Sequence, residues 1–241
     1  MSAVTKDARP LGIALPDFTP PPHPRGVTLA GQFGWLRPLR CAEDAAPLFA
    51  QIADSPWVFD YLGEAAPDTA EGLQHILAVW AARSDCELFA IGAPGSKAPL
   101  GYACLMSVNT AAGDIEIGNV NLSPALQRTA LATEAFSLLL GWSFDVGYRR
   151  VVWKCNALNM PSRRAAQRLG FSYEGLFRNH LIVKGRNRDT AWFAMTDADW
   201  RGIGPAHQAW LAKPNFDPRG QQKQSLGALT APHLASRDPA L

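Results

Sequence analysis

Glu116 lies between Ile115 and Ile117 in a run, Asp114 to Leu122, that alternates as a strand does, so its carboxylate points away from the apolar face. A carboxylate placed this way is either a solvent-facing side chain or a general base within reach of a nucleophile. After Asn121-Leu122 the chain passes through Ser123-Pro124-Ala125-Leu126-Gln127-Arg128-Thr129 into a helical run that starts at Ala130. Unpaired N–H groups at such a start suit a phosphate, and Arg128 could add charge, although every strand-to-helix loop shares this geometry. A later strand ends at Cys155-Asn156, and Asn159 and Ser162 follow it. Both can cap the next helix, or they can hydrogen-bond a ligand lying between the two helix starts. His180 fits an acid or base facing a cleft, or a hydrogen-bonded wall residue. Lys184, Arg186 and Arg188 crowd a turn, where they are solvated or bind a carboxylate or phosphate. Cys155 reads as a buried thiol and not a nucleophile. No His, Cys, Asp or Glu cluster has metal-ligand spacing, so no metal is expected.

The elements that must position these residues follow from periodicity. Trp35 to Leu39 reads as a strand, and Ala42 to Ala53 as a helix. Leu73, Ile76, Leu77 and Trp80 mark one face of a helix over Ala70 to Trp80. Three strands (Cys86 to Ile91, Gly101 to Val108, Asp114 to Leu122) are separated by Gly-rich turns and predict an antiparallel meander. Ala130 to Val146 is helical, Val151 to Cys155 a strand, and Ser162 to Leu169 a helix stopped by Gly170. Strands at Phe171 to Val183 and Thr190 to Met195 flank a charged turn at Lys184 to Asp189. The order β-α-α-β-β-β-α-β-α-β-β predicts an α+β fold, a mixed sheet with helices packed on it, and excludes a doubly wound parallel sheet.

Composition bounds the rest. The chain has 241 residues, 47% of them hydrophobic, which is enough for a substantial core. Its 23 basic and 21 acidic side chains nearly cancel, and its aromatics are not interleaved with Lys or Arg, so nucleic acid is not an expected partner. The longest apolar helical run, near Ser137 to Phe144, is too short to span a bilayer, so no membrane partner is expected. Lys6, Asp7 and Arg9 are followed by prolines and not by the apolar stretch of a signal peptide, which points to a cytoplasmic protein. Four scattered cysteines (Cys41, Cys86, Cys104, Cys155) without a C-x-x-C pair read as reduced, buried thiols. Six of 19 prolines lie within residues 1–24 and five lie after Gly202, while seven of eight tryptophans lie between Trp35 and Trp200. That split predicts a Pro-rich arm over 1–30, a packed domain over 31–201 and a tail over 202–241. Arm and tail are expected to be extended or disordered, or to pack against a second copy in a homodimer.

Together these residues resemble the GNAT superfamily of acyl-CoA-dependent N-acyltransferases, in its RimJ/RimL-like branch. The resemblance runs from about Leu36 to Trp200. It is carried by Ser123-Pro124-Ala125-Leu126-Gln127-Arg128-Thr129, Trp153-Lys154-Cys155-Asn156-Ala157-Leu158-Asn159, Arg168-Leu169-Gly170-Phe171, and Lys184-Gly185-Arg186-Asn187-Arg188-Asp189-Thr190-Ala191-Trp192-Phe193. It implies a mostly antiparallel sheet with splayed central strands and flanking helices, the strands parting after Gly118. Acetyl-CoA would be the cosubstrate, its pantetheine paired with the strand of Val120 and Leu122, and its pyrophosphate held by amides of Arg128, Thr129, Ala130, Leu131 and Ala132. The family pattern Gln/Arg-x-x-Gly-x-Gly/Ala maps onto Gln127, Ala130 and Ala132. Alanine therefore replaces its first glycine, and Ala130 is expected in helical φ/ψ. Asn159 matches the family asparagine that touches the cofactor, with Ser162 beside it. Glu116 would be the base. Trp57, Phe59, Tyr61 and His180 would shape the site of a primary amine acceptor, either a small molecule or a protein N-terminus, although the first three alternate and so also read as one apolar face reaching the core. Many relatives place a tyrosine general acid where Ala166 stands. An acyl-CoA-binding sensor or interaction module without turnover is the alternative use of the same fold.

Overall fold

A computed structural model describes Arg9 and residues 11–241; Pro10 and residues 1–8, including Lys6 and Asp7 of the arm, lie outside it. An eight-stranded sheet runs through the molecule in the order β1-β2-β3-β4-β5-β6-β8-β7. Its strands are β1 (Leu29–Ala30), β2 (Trp35–Pro38), β3 (Glu87–Gly92), β4 (Gly101–Asn109), β5 (Asp114–Leu122), β6 (Arg150–Asn156), β7 (Ser172–Val183) and β8 (Arg186–Thr196). The helices are α1 (Cys41–Ile52), α2 (Ala70–Ala81), α3 (Ala130–Asp145), α4 (Met160–Leu169), α5 (Asp197–Leu211) and α6 (Leu226–Thr230). The expected α+β sheet with splayed central strands and flanking helices is present. Among the described residues no helix is long and apolar enough to cross a membrane.

Strand alternation divides the core in two. Leu88, Tyr102 and Cys104 face α1 and α2, where they pack with Leu48, Leu73 and Leu77. Their strand neighbours Phe89, Ala103 and Leu105 face the other way, into a larger core with Ile115, Ile117, Leu139, Trp153 and Phe193. Glu116 is paired with Met106 and so lies on the α1/α2 side.

All neighbouring strands are antiparallel except β5 and β6, which are parallel and joined by only three pairs: Asp114↔Arg150, Ile115↔Val151 and Glu116↔Val152. Both strands continue, but apart. The separation thus starts after Glu116, two residues before the expected point at Gly118. A bulge explains it: Cys104 pairs with Gly118 and Tyr102 with Asn121, so β5 carries one extra residue, with Asn119 at φ 43°. Such an insertion bends the strand carrying it. Gly118 fits the bend because a Cβ there would lie 2.6 Å from Met106 Sδ.

Four other expectations need correction. The charged turn shrinks to Lys184-Gly185, both at positive φ (50° and 71°) as a two-residue hairpin requires, so β8 starts at Arg186 and Arg188 is a strand residue. Cys86 and Cys104 form a disulfide instead of remaining reduced thiols. Strand register brings their Cα atoms to 6.6 Å, a proximity their separation of 18 residues did not announce. The tail is not extended or disordered: α5 crosses residues 201 and 202, and Ile203, Trp210 and Leu226 are buried in the main core. In the arm, Tyr148 donates to Pro22 O at 3.0 Å, which holds that segment against α3's end. Trp57, Phe59 and Tyr61 do not share one face. A 3-10 turn at Pro56–Phe59 fans them out, leaving Trp57 50% and Tyr61 39% exposed while Phe59, at 2%, belongs to the α1/α2 core.

Candidate active site

The start of α3 is built to leave donors free. Gln127 Nε2 donates to Leu122 O at 2.9 Å and ties the loop back to the end of β5. Thr129 is the N-cap: its Oγ1 accepts from Ala132 N at 3.0 Å and donates to Leu126 O at 2.7 Å. Arg128 is left-handed at φ 61°, a conformation that costs a residue with a Cβ about 1–2 kcal/mol. Ala130 is the first helical residue, as expected, so the strained position is Arg128 and no glycine is required at 130. Among the described residues no acceptor meets the backbone N–H groups of Arg128, Thr129, Ala130 or Leu131, and no acidic residue occupies the first turn. Four free donors at the positive end of a 16-residue helix form an anion seat.

Across the gap, α4 begins with its polar side chains engaged. Asn159 Oδ1 accepts from Ser162 N at 3.1 Å, and Ser162 Oγ accepts from Trp153 Nε1 at 3.0 Å. Capping is therefore the structural role of Asn159, and only its amide nitrogen remains to meet a ligand.

On the opposite face Glu116 is 6% exposed. Its Oε2 receives Lys154 Nζ at 2.6 Å and Ser107 Oγ at 3.1 Å. Ser107 owes its aim to a second bulge, on β4 opposite Glu116, where it adopts φ 50°. Lys154 lies 4.6 Å from the centroid of the Trp192 ring, and Trp192 in turn contacts Phe177 and His180. His180 Nδ1 shares a 3.0 Å hydrogen bond with Thr190 Oγ1, so it is a wall residue linked to Glu116 through Trp192 and Lys154. Over this patch, Tyr61 Oη donates to Leu158 O at 3.3 Å and Lys184 Nζ to Phe59 O at 2.7 Å. Sequence reasoning missed Lys154, although it alternates with Trp153 and Cys155 just as Glu116 alternates with its neighbours. Ser107 gave no signal, since only the bulge re-aims it.

The acetyltransferase (GNAT) domain family matches residues 35–172, more than half of the chain. The chain belongs to the GNAT acetyltransferases. A GCN5-related N-acetyltransferase of Brucella melitensis is 40% identical, with 90% of this chain and all of that chain aligned at a TM-score of 0.86. An uncharacterized N-acetyltransferase of Bacillus subtilis, YnaD, is 31% identical over 87 residues, and the chain spans about half the length of that curated relative. At 18% identity, a likeness of fold alone, a Salmonella typhimurium acetyltransferase described as modifying the N-terminal serine of a 50S ribosomal subunit protein aligns over 70% of this chain and 99% of its own, at a TM-score of 0.61.

GNAT acetyltransferases use acetyl-CoA, and the residues present fit it: a sheet opened between β5 and β6, with four unpaired donors at the helix start beyond it. Two family features differ here. Alanine at 130 is accommodated in the helix. Ala166, where the resemblance would place a tyrosine general acid, is fully buried in the core. Burial pushes the Cys155 thiol pKa up, so it does not supply a thiolate.

Proposed function

We propose that the chain transfers an acetyl group from acetyl-CoA directly to a primary amine, with the thioester lying in the β5–β6 gap and the amine on the Glu116 face. The observation that carries this reading is that the parallel ladder ends at Glu116, on a strand leading into the free N–H groups of α3. The phosphates would take those donors, the pantetheine the released edge near Val120 and Leu122, and the Asn159 amide a position beside them. A thioester is already activated, so holding the amine about 3–3.5 Å from its carbonyl carbon supplies much of the rate. A backbone N–H near Val120 would stabilise the oxyanion.

The amine must be neutral when it attacks. A peptide α-amine, with a pKa of about 7.7–8.0, offers roughly a tenth of its molecules in that form at pH 7, a lysine fewer than about one in a thousand. That arithmetic, and the fold shared with the Salmonella enzyme, favour an α-amino acceptor. Glu116 takes the proton lost on attack, directly or through water, in exchange for part of its contact with Lys154. Coenzyme A leaves as a thiolate and gains its proton from solvent, because Ala166 supplies none. Transfer in this reading is direct, and the buried Cys155 carries no acyl group. Ala166 is also what favours the second reading, a sensor that binds acyl-CoA without turnover. A thiol-release assay with acetyl-CoA over a panel of α-amines, beside calorimetry with coenzyme A, separates the two. Release dependent on the amine supports transfer; tight binding with no release on any amine supports the sensor.

A further inference from the structure

The face that carries Glu116 holds a charge the transfer reaction does not use. Side chains alternate along β8, and two contacts fix which of them share this face: Trp192 lies under Lys154, and Thr190 bonds His180. Arg188, two residues before Thr190, continues the series. Because the hairpin closes at Lys184-Gly185, Arg188 is a half-buried strand residue paired with Leu181 and not a solvated turn charge. Arg37, Arg150 and Arg163 meet Asp44, Glu174 and Asp238, and Lys154 meets Glu116. Arg188 has no such partner. Its Nε is buried without an acceptor, and among the described residues its guanidinium meets no carboxylate. Asp189 is turned to Asn179 N and Asn187 Nδ2, at 2.7 and 3.0 Å. Trp192 Nε1, on the same face, is a second buried donor without an acceptor. Burial lowers the Arg188 pKa from its usual value, yet a guanidinium stays charged in proteins, so the desolvation cost persists until an anion covers it.

We propose that Arg188 binds a carboxylate of the acceptor, so that the substrate is an amine that also bears an acid group: a peptide end whose acidic side chain stands several bonds from its α-amine. The proposal rests on the transfer reaction above and names the substrate class of the same site. A planar fork suits two carboxylate oxygens. On this face one half-buried cation without a carboxylate suits a monoanion better than a phosphate dianion, because Lys154 is matched by Glu116 and Lys184 is held by Phe59 O. Arg188 lies four residues along β8 from Trp192, about 13 Å of backbone before its long side chain reaches back. The amine at the Glu116 end and the acid at the Arg188 end are therefore several bonds apart.

The test compares acceptors that differ only in carboxylate against amide, such as peptides starting with Asp or Asn and with Glu or Gln, on the full chain and on Arg188→Gln. The acid form should show a kcat/KM about 10- to 100-fold above its amide, and Arg188→Gln should bring that ratio to within about threefold of unity. In parallel, the acidic peptides are titrated into protein saturated with coenzyme A, which reads acid recognition without turnover. Equal rates for acid and amide, or a preference that survives Arg188→Gln, overturns the proposal. So does a loss of coenzyme A affinity in a normally melting variant with the acid preference unchanged. Acidic peptide binding that depends on Arg188, with no amine acetylated, keeps the anion site and overturns the transfer reading instead. If neither turnover nor Arg188-dependent binding occurs, both fall. Should Arg188→Gln melt early, Arg188→Lys decides: it keeps the charge and loses the fork, and an acid preference unchanged by it overturns the bidentate site.

Discussion

Glu116 does not act as an isolated carboxylate. Lys154 and Ser107 occupy Oε2, and Oε1 lies over Gly118, where a Cβ would approach it to 3.2 Å. In the proposed reaction an incoming amine would reach Glu116 by sharing it with Lys154, so the ion pair would have to loosen before Glu116 could take the proton. Glu116→Gln keeps the shape and the contact with Ser107 but removes the proton acceptor. It should lower kcat/KM at pH 7 by about 10²-fold or more, with coenzyme A affinity unchanged in calorimetry. A change in affinity with normal turnover would reassign Glu116 to the cofactor. The side of the sheet Glu116 faces was legible in the sequence from alternation alone. Its neighbours were not: Lys154 obeys the same alternation but sits inside a motif that draws the eye to Asn159, and Ser107 points inward only because β4 bulges. Phe59 misled for the opposite reason, since a 3-10 turn breaks the period of two that grouped it with Trp57 and Tyr61.

Among the elements, α3 does the most for the site. Its first turn is held open by Thr129, and its second is anchored by Glu134, whose carboxylate accepts from Gln32, Phe33 and Gly34 N at 2.6, 2.7 and 2.9 Å. This arrangement locks the β1–β2 turn onto the helix and leaves its N-terminus to a ligand. Thr129→Ala should cost about 1 kcal/mol in urea unfolding and weaken coenzyme A binding several-fold, because the loop that presents the free N–H groups loses both of its Oγ1 bonds. The same stability loss with unchanged binding would place the phosphates elsewhere. Helices and strands from Trp35 to Met195 were readable because hydrophobic period and cap residues agree there. Helix α5 was not, since Gly202, Gly204 and Pro205 obscure the spacing of Trp200, Ile203, His207 and Trp210. Its Thr196–Asp199 capping box was the signal that could have found it.

At the scale of the whole molecule, the C-terminal residues act as a strap over α4. Asp238 is buried against Arg163, at 2.6 Å to Nε and 2.5 Å to Nη2, and its N–H donates to Gln167 Oε1. Asp238→Ala leaves a buried guanidinium unpaired and should cost about 3 kcal/mol in urea unfolding, whereas adding Arg163→Met should restore part of that loss. Beside the strap, α5 presses His207 against α4. His207 Nε2 donates to Leu169 O at 2.8 Å, Nδ1 is buried without a partner, and the ring is 1% exposed. Burial, helped by the charge of Arg168, holds the His207 pKa down at about 4, against 6.5 for a free histidine. Between those values the unfolded chain takes up a proton that the native ring refuses. The stabilising contribution is therefore present above pH 6.5, declines as pH falls, and is lost once pH passes about 4. From pH 7 to pH 5 this site alone should remove about 2 kcal/mol, and His207→Gln, which keeps a donor for Leu169 O but does not titrate, should remove that part of the slope. Urea melts of both proteins at the two pH values measure the difference. Parallel slopes would show that the ring escapes its pocket before it is charged, so that α5 loosens in mild acid while the rest of the fold holds.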